Sequence, residues 1–233
     1  MNIINLCTHI KKFINFEKKK NGIIKEYHNK KKIILSSEYL IFNNKKEGEY
    51  KSYHKNGQLE VICNYIDGNL EGEYKEYYEH GQLMQIYNYI NGKIKGEYKK
   101  YYNNGQLLII GNYKNGKMEG EYKEYYEHGQ LMQIYNYING KIEREYKKYY
   151  ENGQLWVKCN FKNNEKQGEY KSYYEDGQLE RILNYENGNL EGEYKSYYKN
   201  GQLEIMCNCT HGYLEGNYKK YNENGELQIY ITI

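Results

Sequence analysis

The sequence predicts an all-β protein built from tandem β-hairpins. Three observations predict it. A 24-residue period runs without insertion from Gly48 to the last residue, Ile233. Each period carries two Asn/Asp/His-Gly dipeptides about eleven residues apart, pairs that suit tight hairpin turns because Asn and Gly tolerate positive φ. The composition is poor in helix formers: among 233 residues there are 33 Tyr and 23 Gly but no Ala and no Pro.

The units are 48–71, 72–95, 96–119, 120–143, 144–167, 168–191, 192–215 and a shortened 216–233. Residues 71–94 recur letter for letter at 119–142, the mark of an internal duplication. With positions numbered 1 to 24, Tyr occupies positions 3 and 6, Gly position 10 and Leu position 12 in all eight units. Position 1 is Gly except at Arg144, and position 21 is Gly except at Asn164. Residues 22–47 read as a worn copy with a two-residue insertion, ending at the same junction. Ahead of them Ile3, Leu6, Ile10 and Phe13 stand at helical spacing, so residues 1–47 are expected to form a Lys-rich cap that begins with a short helix.

Two-residue turns at positions 9–10 and 20–21 fix a register. Position 3 then pairs with 16, 7 with 12, and 18 with 23, and paired residues share a face. One face collects positions 1, 3, 5, 7, 12, 14, 16, 18 and 23, mostly aromatic and aliphatic. The other collects charged residues with Tyr at position 6 and Ile at position 15 across it. Gly at position 1 is expected to let neighbouring rings close over the backbone. The same register gives a two-residue stagger per unit, and hence one elongated, twisted and coiled antiparallel sheet.

Charge is uneven. Residues 1–47 hold 11 Lys against 4 Glu, and the remainder holds 23 basic against 27 acidic residues. The array is therefore no basic stripe for nucleic acid, and only the N-terminus is suited to an anionic membrane surface. No run approaches the ~20 apolar residues of a membrane helix, and residues 1–20 lack the pattern of a signal peptide, so an intracellular location is expected: the cytoplasm, or the host cytoplasm for a viral protein. Five cysteines suggest no disulfide framework. Cys63, Cys159 and Cys207 share position 16 and read as small apolar fillers. Cys207, Cys209 and His211 make a C-x-C-x-H run without an apparent fourth metal ligand. His80 and His128 occupy turn slots. Carboxylate pairs such as Glu71 and Glu73 recur unit after unit, where a catalytic constellation would occur once. Neither an enzyme nor a cofactor or metal is expected.

The pattern G-x-Y-x-x-Y-Y-x-N-G-Q-L, with x-Y-x-N-G-K joining successive copies, resembles the MORN repeat, in the shorter variant found in bacterial antitoxin-like proteins and large DNA viruses. The resemblance covers residues 48–233 and implies stacked β-hairpins used for scaffolding, protein binding or contact with phospholipid headgroups. Arg144, Asn163-Asn164 and Cys209 depart from it. The expected function is a non-catalytic scaffold that binds a protein through a sheet face, with a peripheral membrane adaptor and an antitoxin-like neutraliser as alternatives. The candidate binding residues are the position-6 ladder Tyr53, Tyr77, Tyr101, Tyr125, Tyr149, Tyr173 and Tyr197, for which cross-strand support of the sheet is the competing role. The terminal segment 226–233 is apolar and β-prone, an invitation to edge pairing and self-association.

Overall fold

A computed structural model describes residues 21–29 and 31–233. The expected helical start of the cap lies outside them. All 22 strands, from Gly22–Tyr27 to Leu227–Thr232, are antiparallel members of one sheet, and no helix occurs among the described residues. By its internal contacts the chain divides into a unit ending at Gly105 and a unit spanning Gln106–Ile233, each described by itself.

The second turn of each repeat is the expected one. In the first unit Tyr89 pairs with Ile94 and Ile90 with Lys93, across Asn91 (φ 50°) and Gly92 (φ 71°). Two consecutive positive φ values define a type I′ turn, whose twist matches that of the strands it joins. The turn is also pinned from the neighbouring repeat: Gly92 N–H donates to the Leu70 carbonyl (3.0 Å) and Asn91 N–H to Glu71 Oε2 (2.7 Å).

The first turn differs from expectation. In the second unit Tyr174 N–H donates to the Gln178 carbonyl, and Gly177 N–H (φ 88°) returns to the Tyr174 carbonyl. Three residues, not two, form the loop, and the Gly ends it in the left-handed region. A bulge follows on the return strand: Ser172 pairs with Arg181 but Tyr173 with Leu179, leaving Glu180 without a partner. The bulge compensates for the longer loop, so position 3 still pairs with position 16, as Tyr170 does with Leu183.

The bulge also moves two side chains across the sheet. Leu at position 12 pairs with Tyr at position 6, as in Tyr53–Leu59, and joins the charged face instead of the core face. Position 13 goes the other way: Ser172 Oγ donates to Glu180 Oε2 (2.9 Å), and Trp156 stacks on Tyr150 with ring centroids 5.2 Å apart.

The expected two-residue stagger is absent. Gln133 pairs with Glu124 in its own hairpin and with Lys148 in the next, both at position 5. Val157 likewise lies between Lys148 and Ser172, and in the first unit Val61 lies between Ser52 and Glu76. The cause is the position-1 residue. Pairing runs from Ile134–Lys147 directly to Asn136–Glu143, so Arg144, Glu145 and Tyr146 stand opposite Tyr135 alone. Arg144 sits at φ 69°, and the Gly residues of the other repeats at φ 72–86°. A left-handed residue here builds a bulge that takes up the two surplus residues.

Conformation, not space, requires this Gly. A Cβ built on Gly72, Gly120, Gly168 or Gly192 meets nothing within 4 Å, so the rings do not close over it. An L-residue in the left-handed region costs about 1–2 kcal/mol. Arg144→Gly is therefore expected to stabilise the protein by about 1 kcal/mol and Gly192→Ala to destabilise it by a similar amount, as read from urea unfolding midpoints. A drop in midpoint for Arg144→Gly would contradict this role.

Candidate functional site

Burial is one-sided. The buried residues Cys63, Tyr135, Cys159, Leu183 and Cys207 are at position 16, Ser52, Ser172 and Ser196 at position 5, Ser37 and Val157 at the position-14 level, and Cys209 at position 18. All belong to the face of the position-3 tyrosines. Rings stack along that face from strand to strand: Tyr74–Tyr87 at 4.9 Å and Tyr87–Tyr98 at 5.7 Å in the first unit, Tyr122–Tyr135 at 4.8 Å and Tyr135–Tyr146 at 5.7 Å in the second. Offset or edge contacts in this range add to what burial alone gives. Position 23 lids the row: Lys46 lies over the rings of Tyr39, Tyr50 and Tyr65 at 4.2–5.1 Å.

Below the rings, the serines and glutamates of a second row are satisfied in two ways. Where position 5 is Ser, position 13 is Glu and accepts its hydroxyl, as in Ser52–Glu60 (3.0 Å) and Ser196–Glu204 (3.0 Å). Where position 5 is Glu, a Gln at position 14 donates to it, as in Gln133–Glu124 (2.5 Å).

Successive repeats are tied at the turn end. The position-7 hydroxyl donates to the position-6 carbonyl of the next repeat: Tyr78 to Tyr101, Tyr150 to Tyr173, Tyr174 to Tyr197 and Tyr198 to Tyr221, at 2.7–2.9 Å. His54 Nε2 makes the same bond to the Tyr77 carbonyl (2.8 Å) and His28 Nε2 to the Tyr53 carbonyl (2.7 Å). Position 9 adds another, from Asn152 Nδ2 to the Glu175 carbonyl (3.0 Å) and from His80 Nε2 to the Asn103 carbonyl (3.1 Å). His80 and His128 are thus turn residues that also clamp the next repeat.

Residues 22–47 show the same pairings. Gly22 faces Ile41 and Tyr27 faces Leu35, as positions 1–18 and 6–12 do elsewhere. Asn43 and Asn44, with φ 47° and 62°, make the second turn.

The opposite face carries the candidate ladder. Tyr53, Tyr77 and Tyr101 in the first unit and Tyr125, Tyr149, Tyr173 and Tyr197 in the second are all half-buried, and no residue of this face is buried. The tyrosines lie on the face that strand alternation assigns to them, but their neighbour in the row escapes that alternation. Leu at position 12 alternates with them: Tyr149 pairs with Leu155 and Tyr173 with Leu179. Across the repeat junction, Leu59, Ile62 and Tyr77 line one shallow depression with Glu73 and Lys75. Beside the Tyr/Leu row run the position-4 lysines, and those from Lys51 to Lys195 pair with the position-2 glutamate of their own strand, as in Lys171–Glu169 (2.7 Å) and Lys195–Glu193 (2.7 Å). The pairing raises the pKa of Lys75, Lys123 and Lys195. Surface pairs of this kind hold their partners weakly.

The thiols are placed for packing. Burial pushes Cys63, Cys159 and Cys207 up to about 11, so they are protonated at neutral pH and poor nucleophiles. Cys209 lies beside Cys207, whereas His211 sits in the turn at φ 52°. No group of three His, Cys, Asp or Glu side chains arranged for a metal occurs among the described residues.

The geometry defines a tandem β-hairpin repeat protein with one packed aromatic face and one mixed apolar and charged face. The model of the MORN repeat variant matches residues 46–67, 70–91, 94–115, 118–139, 140–163, 166–187, 190–208 and 214–232. The chain belongs to that family. No curated protein matches the chain. Among solved structures, the Tc holotoxin pore of Photorhabdus luminescens is similar at 12% identity and a TM-score of 0.22, over 92% of this chain and 15% of that one. A TcdB2–TccC3–Cdc42 crystal structure is similar at 14% identity and a TM-score of 0.21, over 90% of this chain and 15% of that one. The chain spans about 15% of the length of these proteins, and at such TM-scores the likeness carries no argument about this protein.

Two outcomes follow. Tyr174→Phe removes the hydroxyl that ties one repeat to the next, and is expected to lower stability by about 1 kcal/mol; an unchanged urea midpoint would contradict that tie. Burial also raises the pKa of Tyr74, Tyr87 and Tyr135 above the usual phenol value and that of Tyr146 to about 12. The unfolded chain loses thiol protons near pH 8.5 and phenol protons near pH 10. The stability held by these groups is therefore complete below about pH 8.5 and falls as pH rises through the folded values. Urea midpoints should decline from pH 8.5 to pH 11; a constant or rising midpoint would show that these groups do not titrate differently on unfolding.

Proposed function

We propose that the protein is a non-catalytic scaffold that binds a protein partner through the Tyr/Leu row of its mixed face. One observation carries the reading. The same half-buried apolar row repeats on the face that contributes nothing to the buried core, with charged residues beside it. Aromatic side chains that combine large area with few rotatable bonds are favoured at recognition surfaces. The repetition of the Lys–Glu pairs also argues for a surface and against a single reaction centre.

The test is capture on the immobilised full chain, compared with a Tyr125→Ser/Tyr149→Ser/Tyr173→Ser variant. The proposal expects at least a tenfold loss of the captured protein, with far-UV circular dichroism unchanged. Equal capture by a folded variant would overturn it. Flotation with phosphatidylserine vesicles that depended only on residues 1–47 would assign the contact to a membrane surface instead.

A further inference from the structure

The spacing and charge order of the Tyr/Leu row select the conformation of what docks on it. This inference rests on the protein-binding reading and specifies the partner's chemistry. In the unit Gln106–Ile233, the strands carrying Tyr125, Leu131, Tyr149, Leu155, Tyr173 and Leu179 follow one another in the sheet. Because successive repeats are not staggered, the row runs straight across the strands. Neighbouring strands lie about 4.8 Å apart, so an apolar side chain is presented at about that interval.

Three backbone conformations can be compared with that interval. An α-helix with an apolar stripe at i, i+3, i+4 and i+7 presents a side chain about every 5.2 Å along its axis. An extended strand presents one on a given side about every 6.6 Å, and a polyproline helix about every 9 Å. Over five strands the α-helix drifts from the row by about 2 Å, less than half a step, and the extended strand by about 7 Å. Only the helix keeps an apolar residue against each successive Tyr or Leu.

Charge supplies the second constraint. One flank of the row carries a lysine in every repeat, including the half-buried Lys123, Lys147 and Lys171, each in a surface ion pair with the position-2 glutamate. The other flank is the loop, where Glu151 and Glu175 at position 8 are exposed. The row thus runs between a basic and an acidic border. A complementary helix carries carboxylates on one side of its apolar stripe and basic residues on the other, and that order sets its direction along the sheet.

We propose that the Tyr/Leu row from Tyr125 to Leu179 seats an amphipathic α-helix of roughly four turns, acidic on one flank of its apolar stripe and basic on the other. The probe is an 18-residue fluorescent peptide with Leu at the stripe positions, Glu on one flank and Lys on the other. Its control has the same composition scrambled to destroy the stripe. Fluorescence anisotropy with the full chain should show at least tenfold tighter binding of the stripe peptide, a preference erased in Tyr149→Ser/Tyr173→Ser. Lys147→Glu/Lys171→Glu, on the lysine flank, should reduce it at least threefold and tests the row even if the tyrosine variant fails to fold. Equal binding of the two peptides, or a preference untouched by the lysine reversal, overturns the inference. If the stripe peptide is not preferred while the serine variant still loses its captured protein, the partner is not such a helix and the protein-binding reading stands. If capture too is unaffected in the folded variant, both fall.

Discussion

The structure depends on a backbone constraint that recurs once per repeat: a residue held at positive φ where one hairpin meets the next. Without it, the two tight turns alone would advance each repeat by two residues against its neighbour. With it, Arg144, Glu145 and Tyr146 are accommodated opposite the single Tyr135, and the next repeat starts in step. Every row of like side chains follows from that. Stacked tyrosines meet at 4.8–5.7 Å because positions 3 and 16 alternate in line, and the position-7 hydroxyls reach the same carbonyl in each following repeat.

A single sheet has no second layer to bury its core, and this one compensates with side chains that cover each other. The position-16 residues are small where they are most enclosed, as in Cys63, Cys159 and Cys207, and the flanking tyrosines close over them. Polar groups in that layer are paired: serines with glutamates, glutamates with glutamines. No buried side-chain nitrogen or oxygen lacks a partner among the described residues. The opposite face contributes no buried residue, and its tyrosine ladder is half-buried. A two-sided division of labour of this kind gives a repeat array an extended surface whose length grows with repeat number.

Much of this was legible in the sequence. The period, the antiparallel hairpins, the type I′ turn at Asn91-Gly92 and the assignment of Tyr50 and Tyr53 to opposite faces all follow from spacing and alternation. What escaped was the bulges. An Asn-Gly dipeptide such as Asn56-Gly57 is compatible with a two-residue or a three-residue loop, and only the hydrogen bond from Gly57 N–H to the His54 carbonyl distinguishes them. Leu59 and Glu60 therefore exchanged faces relative to simple alternation, and the leucine half of the candidate row was hidden. Gly72 was visible as a repeated glycine, but repetition does not say whether a glycine serves space or conformation; φ 79° with open space around its missing side chain does.

The claim that repeats stand in step is tested most directly by cross-strand disulfides in a background lacking the native cysteines. Val157 and Ser172 are direct partners across a repeat junction, so their Cα atoms lie within the reach of a disulfide. A two-residue stagger would instead set Val157 opposite Tyr170. The account predicts that Val157→Cys/Ser172→Cys oxidises readily and Val157→Cys/Tyr170→Cys does not. The reverse outcome would contradict it.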